Sequence, residues 1–208
     1  MSDLQDCQLC PRLAAYRVEQ KSRYPQYHCL PVAGFGDVHS RLLIVGLAPG
    51  LHGANATGRP FTGDASGQML FATLFKYGFA NQPCSYADDD NMRLFDCRIT
   101  NAVKCVPPQN RPNADEIKRC NEYLRAEIAG LRPAAVILAL GAIAHRSILK
   151  ALDLPLSGFR FRHLAEHELP GGLRFIDSYH CSRYNVNTGR LTPGMFEAVF
   201  DRIKKVMQ

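Results

Sequence analysis

Cys7 and Cys10 stand as a C-x-x-C pair, a spacing whose short turn aims two thiolates at one point and so suits a metal ion or an iron-sulfur cluster. Two further ligands would close such a set. Cys105, in NAVKCVPP past a strand end, and Cys120, in the helical stretch IKRCNEYL, are placed to supply them. The same four residues could instead be buried small hydrophobes, as free cysteines often are, and a tetrahedron of thiolates suits zinc as well as iron. A thioredoxin-like redox pair fits less well, because the C-x-x-C precedes any strand-helix-strand unit and is followed by what reads as an irregular segment. Cys29, Cys84, Cys97 and Cys181 read as free thiols.

Nucleotide cofactors are disfavoured. The loop GLAPGLHGANATGRPFTGDASG lacks both the G-x-x-x-x-G-K-[ST] of a P-loop and the G-x-G-x-x-G of a dinucleotide fold. The lone GFG at Gly34 to Gly36 comes before the first strand, where it cannot cradle a pyrophosphate at a strand-to-helix turn.

The elements that must position these residues follow a strand-then-helix rhythm. Leu42 to Val45, closed by Gly46, reads as a buried strand; the small-residue loop Leu47 to Asp64 is longer than an ordinary connection, a sign of function. A helix follows over about Ser66 to Tyr77, with Gly78 as its C-cap. Strand Asp96 to Thr100 leads through loop Asn101 to Pro112 into a helix opening at Asn113, where Glu116 completes a capping-box pattern. Strand Ala135 to Leu140 runs into helix Ala142 to Leu152. Strand Leu173 to Ser178 runs through loop Tyr179 to Leu191 into a last helix ending near Val206. The segment Ser157 to Gly172 reads as a hairpin or extended insert. The rhythm predicts an α/β fold: a three-layer α/β/α domain over residues 1–208, with a central, mainly parallel four-stranded sheet and ligands at the carboxyl ends of its strands.

Composition narrows the setting. The chain of 208 residues has no apolar run of membrane-spanning length, and its MSDLQDCQLC start resembles no signal peptide, so a cytoplasmic protein with no membrane partner is expected. A monomer is expected as well, although no sequence feature settles the oligomeric state. A reducing compartment seldom keeps structural disulfides but readily supports thiolate metal sites. The formal net charge of +6 favours a polyanionic partner.

Four segments, GLAPG, FTGDASG, ITNAVKCVPPQNRP and SYHCSRYNVNTGRLT, together resemble the uracil-DNA glycosylase superfamily over most of the chain. Members with four cysteine ligands carry a four-iron, four-sulfur cluster, and the resemblance makes Cys7, Cys10, Cys105 and Cys120 its ligands here. The iron-sulfur branch called family 4 reads GEAPG at the first motif. This chain reads GLAPG, and Leu47 cannot activate water, so the resemblance is nearer to family 5, or type b.

The resemblance implies a repair enzyme that hydrolyses the N-glycosidic bond of uracil, and of hypoxanthine or other deaminated bases, in DNA to leave an abasic site. Asp64 becomes the carboxylate that stabilises positive charge on the sugar and orients water; otherwise it is a helix N-cap. His180 would donate to the carbonyl oxygen of the departing base. Asn110 is a further candidate facing the sugar or water. Phe61 would stack on the extruded base and Asn101 would read its edge, while the backbone of Gly46, Leu47, Ala48 and Gly50 approaches base or phosphate. Ser182 and Arg183 belong to the loop that enters the minor groove in relatives. Cys181 stands where the family motif has Pro. The rival reading is a non-catalytic nucleic-acid-binding module with an iron-sulfur or zinc centre.

Overall fold

A computed structural model of the protein describes residues 4–208. Its helices and strands, in chain order, are α1 (Pro11–Arg23), β1 (Phe35–Gly36), β2 (Leu42–Gly46), α2 (Ala54–Thr57), α3 (Ala65–Lys76), β3 (Cys97–Asn101), α4 (Ala114–Ala129), β4 (Val136–Leu140), α5 (Ala142–Ala151), β5 (Glu166–Glu168), β6 (Arg174–Ser178), α6 (Arg183–Asn187) and α7 (Pro193–Val206). The sheet runs β1-β3-β2-β4-β6-β5. Its four central strands are parallel, in the register Gly46 opposite Asn101 and Leu140 opposite Ser178, so their carboxyl ends lie along one edge of the sheet.

Those four are the strands expected from sequence, but the sheet has six. Short strands β1 and β5 add to its two edges, both antiparallel. The expectation of a four-stranded sheet is therefore corrected: β5, with β6, resolves the Ser157 to Gly172 segment into an edge hairpin. The irregular segment expected after the C-x-x-C is also corrected. It is helix α1, started by Pro11 in the first turn and burying Leu13, Arg17 and Gln20 along one stripe.

β2 and β4 are buried throughout, as parallel strands covered on both faces must be. Alternate residues feed two cores. Leu42, Ile44, Ile99, Leu138 and Ile176 meet Leu70 and Leu74 of α3 and Phe196 and Phe200 of α7 on one side. Leu43, Val45, Ile137 and Phe175 meet Leu124 of α4 and Ile148 and Leu149 of α5 on the other. Truncating a fully buried member such as Leu138 to Ala would cost about 2–5 kcal/mol.

Helix starts are set by side chains that satisfy orphan amides. Asn113 accepts from the Glu116 amide while Glu116 accepts from the Asn113 amide, completing the expected capping box. Thr192 caps α7 through the Met195 amide, with Pro193 in the first turn. No described helix is long and apolar enough to cross a membrane.

Candidate active site and cysteine centre

Loops leaving the carboxyl ends of β2, β3 and β6 build a pocket lined by Asp64, His180, Phe61, Asn101, Ala48 and Gly50, joined by Ala54 and Ser66. Asp64 occupies both roles that its sequence allows. It is the N-cap of α3, where Oδ1 accepts from the Gly67 amide at 2.9 Å, and it lines the pocket. The cap fixes the carboxylate and leaves Oδ2 beside Gly50 and Gly53. A β-carbon at Gly53 would stand 2.8 Å from Oδ2, so glycine is what lets that loop pass so close to the acid.

Phe61 holds a left-handed backbone, φ +58°, that turns its carbonyl into the first turn of α3. The approach is tight enough that a β-carbon at Gly67 would lie 1.7 Å from the Phe61 oxygen. Gly46, at the end of β2, likewise admits both Phe61 and Asn101: a β-carbon there would meet Asn101 Oδ1 at 2.5 Å and Phe61 Cζ at 2.6 Å. The loop is anchored behind Phe61 by the Arg59–Asp90 ion pair at 2.5 Å. Burial pushes the Asp90 carboxyl up, but Arg59 and the amides of Met92 and Tyr86 outweigh it and hold it down at about 2.

His180 lies two residues past β6, its ring roughly parallel to that of Phe61 with centroids 6.0 Å apart. Burial lowers its pKa from 6.5, partly offset by the Asp64 charge, which favours the neutral imidazole near neutral pH. Cys181, fully buried, donates its thiol to the Ser66 carbonyl at 3.4 Å and ties this loop to the start of α3; that contact restrains the loop where the motif would have proline. Neither the imidazole of His180, the side-chain amide of Asn101 nor Oδ2 of Asp64 makes a protein hydrogen bond among the described residues. Three polar groups with open valences thus face one pocket.

The remaining expected residues sit around it. The Gly46 and Leu47 carbonyls accept from the amides of Ala102 and Val103, extending the β2–β3 ladder. Ser182 caps α6 through the Asn185 amide, and Arg183 and Tyr184 are exposed beside it. Asn110 is exposed, with φ +55°, and is not among the pocket-lining residues. Sequence reasoning missed Ser66 and Ala54; the position of Ser66, two residues past Asp64, was the only signal for either.

The four cysteines gather at the other end of the β3–α4 loop. Cys7 and Cys10 of the amino-terminal segment and Cys105 and Cys120 of loop and helix line one apolar hollow, closed by Leu13 and Val103. Arg12 grips Glu116 through two contacts of 2.7 Å and Arg119 donates to the Leu9 carbonyl, clamping the segment onto α4, while Arg17 of α1 donates to the Cys7 carbonyl. The Lys104 amide donates to Cys120 Sγ at 3.2 Å. Burial pushes the Cys105 thiol up to about 12 and Cys120 up to about 11, and it raises Cys10 as well. Such thiols become thiolates only with a compensating cation.

The profile of the Uracil DNA glycosylase superfamily matches residues 33–204. The chain belongs to that superfamily. A protein of Thermus thermophilus named "Type-5 uracil-DNA glycosylase" is 44% identical over 96% of this chain and 93% of its own length. Another of that name, from Pyrobaculum aerophilum, is 46% identical over 91% of this chain and 84% of its own. The crystal structure of SMUG2 from Pedobacter heparinus shares the fold with a TM-score of 0.52 at 14% identity, covering 93% of this chain and 83% of that one. The superfamily match thus embraces all three pocket-building loops as well as Cys105 and Cys120, while the type-5 relatives extend over almost the whole chain.

Proposed function

We propose that the protein is a type-5 uracil-DNA glycosylase that hydrolyses the bond between uracil and deoxyribose in DNA and leaves an abasic site. The observation that carries this reading is the convergence of Asp64, His180 and Asn101, each with an unused polar group, on one pocket floored by Phe61. Breaking an N-glycosidic bond builds positive charge on the sugar and negative charge on the departing base. Asp64 Oδ2 supplies the anion for the sugar and orients water. The neutral His180 imidazole donates to the base oxygen as it gains charge, and Asn101 offers donor and acceptor to the base edge. Phe61 stacks on the extruded base. The same chemistry extends to hypoxanthine and other deaminated bases.

Cys7, Cys10, Cys105 and Cys120 would hold a [4Fe-4S] cluster; their convergence on one apolar hollow, with Arg17 and Arg119 near to offset thiolate charge, supports a thiolate-bound group, and the family resemblance favours the cluster over zinc. When bound, the cluster supplies structural cross-linking, since hydrolysis moves no electrons. It joins α1 to α4 and to the loop that begins with Asn101. DNA approaches the carboxyl edge of the sheet, where Arg183 and Arg190, in the segment that follows His180, are exposed. Affinity is expected to fall steeply as salt rises.

Duplexes carrying uracil, hypoxanthine or xanthine test the proposal. Excision of uracil by the wild type, abolished in Asp64→Ala with DNA binding kept, is the expected result. Binding without excision by cluster-loaded wild type would reduce the protein to a nucleic-acid-binding module.

A further inference from the structure

On the α5 face of the sheet, away from both the pocket wall and the cysteines, His145 of α5, His167 of β5 and Asp177 of β6 bring one donor atom each within 4.8 Å of one another. Asp177 and His145 are buried, and the rings of Phe161 and Phe175 pack against His145 while that of Phe159 packs against His167.

The hydrogen-bonding pattern is unbalanced. His145 Nε2 lies 3.1 Å from the Phe159 carbonyl, which only accepts, so Nε2 carries a proton. In a neutral imidazole Nδ1 is then a lone pair, yet it faces Asp177 Oδ1, another acceptor, at 2.8 Å. The second oxygen of Asp177 and Nε2 of His167, 3.7 Å apart, are both buried without a hydrogen-bond partner. With His167 in the tautomer that leaves Nε2 unprotonated, three donor atoms converge on one point from three elements, and a buried carboxylate facing an imidazole lone pair is unfavourable unless a proton or a metal cation lies between them.

We propose that these three residues form a second metal site, one that takes a divalent transition ion with zinc as the best match. Two imidazole nitrogens and one carboxylate oxygen are a zinc donor set; calcium and magnesium demand more oxygens. The Phe159 carbonyl plays the part of the outer partner that fixes the tautomer of a ligating histidine. The ion would pin the edge strand β5 and its hairpin to α5 and to β6, whose Asp177 stands three residues before His180. It would be structural.

The test uses the iron-sulfur-loaded protein, so that the cysteines are occupied. After incubation with zinc and gel filtration, metal analysis and zinc-edge X-ray absorption are measured. One zinc per chain is expected, in a shell of nitrogen and oxygen at about 2.0–2.1 Å with no sulfur at about 2.3 Å. His167→Gln, on the edge strand, should weaken zinc at least about tenfold, and zinc should raise the melting temperature of the wild type only. No retained zinc, a sulfur-containing shell, or equal affinity in His167→Gln would each overturn the proposal and leave a proton shared between His145 and Asp177.

Discussion

The pocket and the cysteine centre are served by one strand, β3, with Asn101 at its end and Cys105 four residues on, yet they are completed in opposite ways. The pocket is finished by the chain itself. A helix cap fixes Asp64, three glycines admit Phe61, Asn101 and the carboxylate, and a thiol-carbonyl contact ties down the His180 loop. The cysteine centre is organised but not completed by protein groups: Cys105 and Cys120 are buried in an apolar hollow that opposes their ionisation. Catalytic groups need open valences held still, whereas cluster ligands need a cation to become stable at all.

The largest expected effect sharpens that contrast. Cys120→Ala should remove cluster binding and destabilise the joint between α1 and α4 by at least about 3 kcal/mol, read as lost visible absorption and lower denaturant midpoint. Retained absorption would break the ligand assignment. Next, Gly67→Ala forces a β-carbon onto the Phe61 carbonyl, and a loss of about 2–3 kcal/mol is expected from calorimetry, with the cluster spectrum unchanged.

How much of this was legible depended on local pattern. Strands β2 and β4 announced themselves as continuous apolar runs, β3 and β6 by their place in the strand-then-helix rhythm, and Asn113 with Glu116 announced α4. Edge strands β1 and β5 did not, since Phe35–Gly36 and Glu166–Glu168 are too short for alternation and form only because a sheet edge is offered. Helix α1 escaped notice because Arg17 and Gln20, both polar, occupy its buried stripe. Motif resemblance brought Asp64, His180, Phe61 and Asn101 into view; Asn110 was named with them but sits exposed outside the pocket wall. The His145, His167 and Asp177 set was invisible, because its members are far apart in sequence and join only when three elements pack.

A smaller effect concerns His180. His180→Gln should slow excision about 10²-fold in single-turnover assays, roughly 2.7 kcal/mol, while leaving the melting temperature nearly unchanged at neutral pH. The sign with pH follows from its lowered pKa. Below 6.5 the unfolded chain binds a proton that the folded His180 resists, so wild-type stability declines as pH falls through that value until the lower, folded pKa is reached. The variant should lose that part of the decline, and an unchanged acid limb would contradict the assignment. The smallest effect is that of Cys181→Ala, which should cost about 1–2 kcal/mol of stability through the lost thiol contact and a one-atom void.

Asp64 is the most direct probe of the proposed mechanism, because one of its oxygens caps the helix and the other is the one proposed to stabilise the sugar. Asparagine is as good an N-cap as aspartate but carries no charge. Single-turnover excision of uracil from duplex DNA by Asp64→Asn, measured beside its melting temperature and DNA affinity, should show a rate lower by about 10²–10⁴-fold with stability and binding within a small margin of wild type. A variant that excises uracil at the wild-type rate would contradict the account.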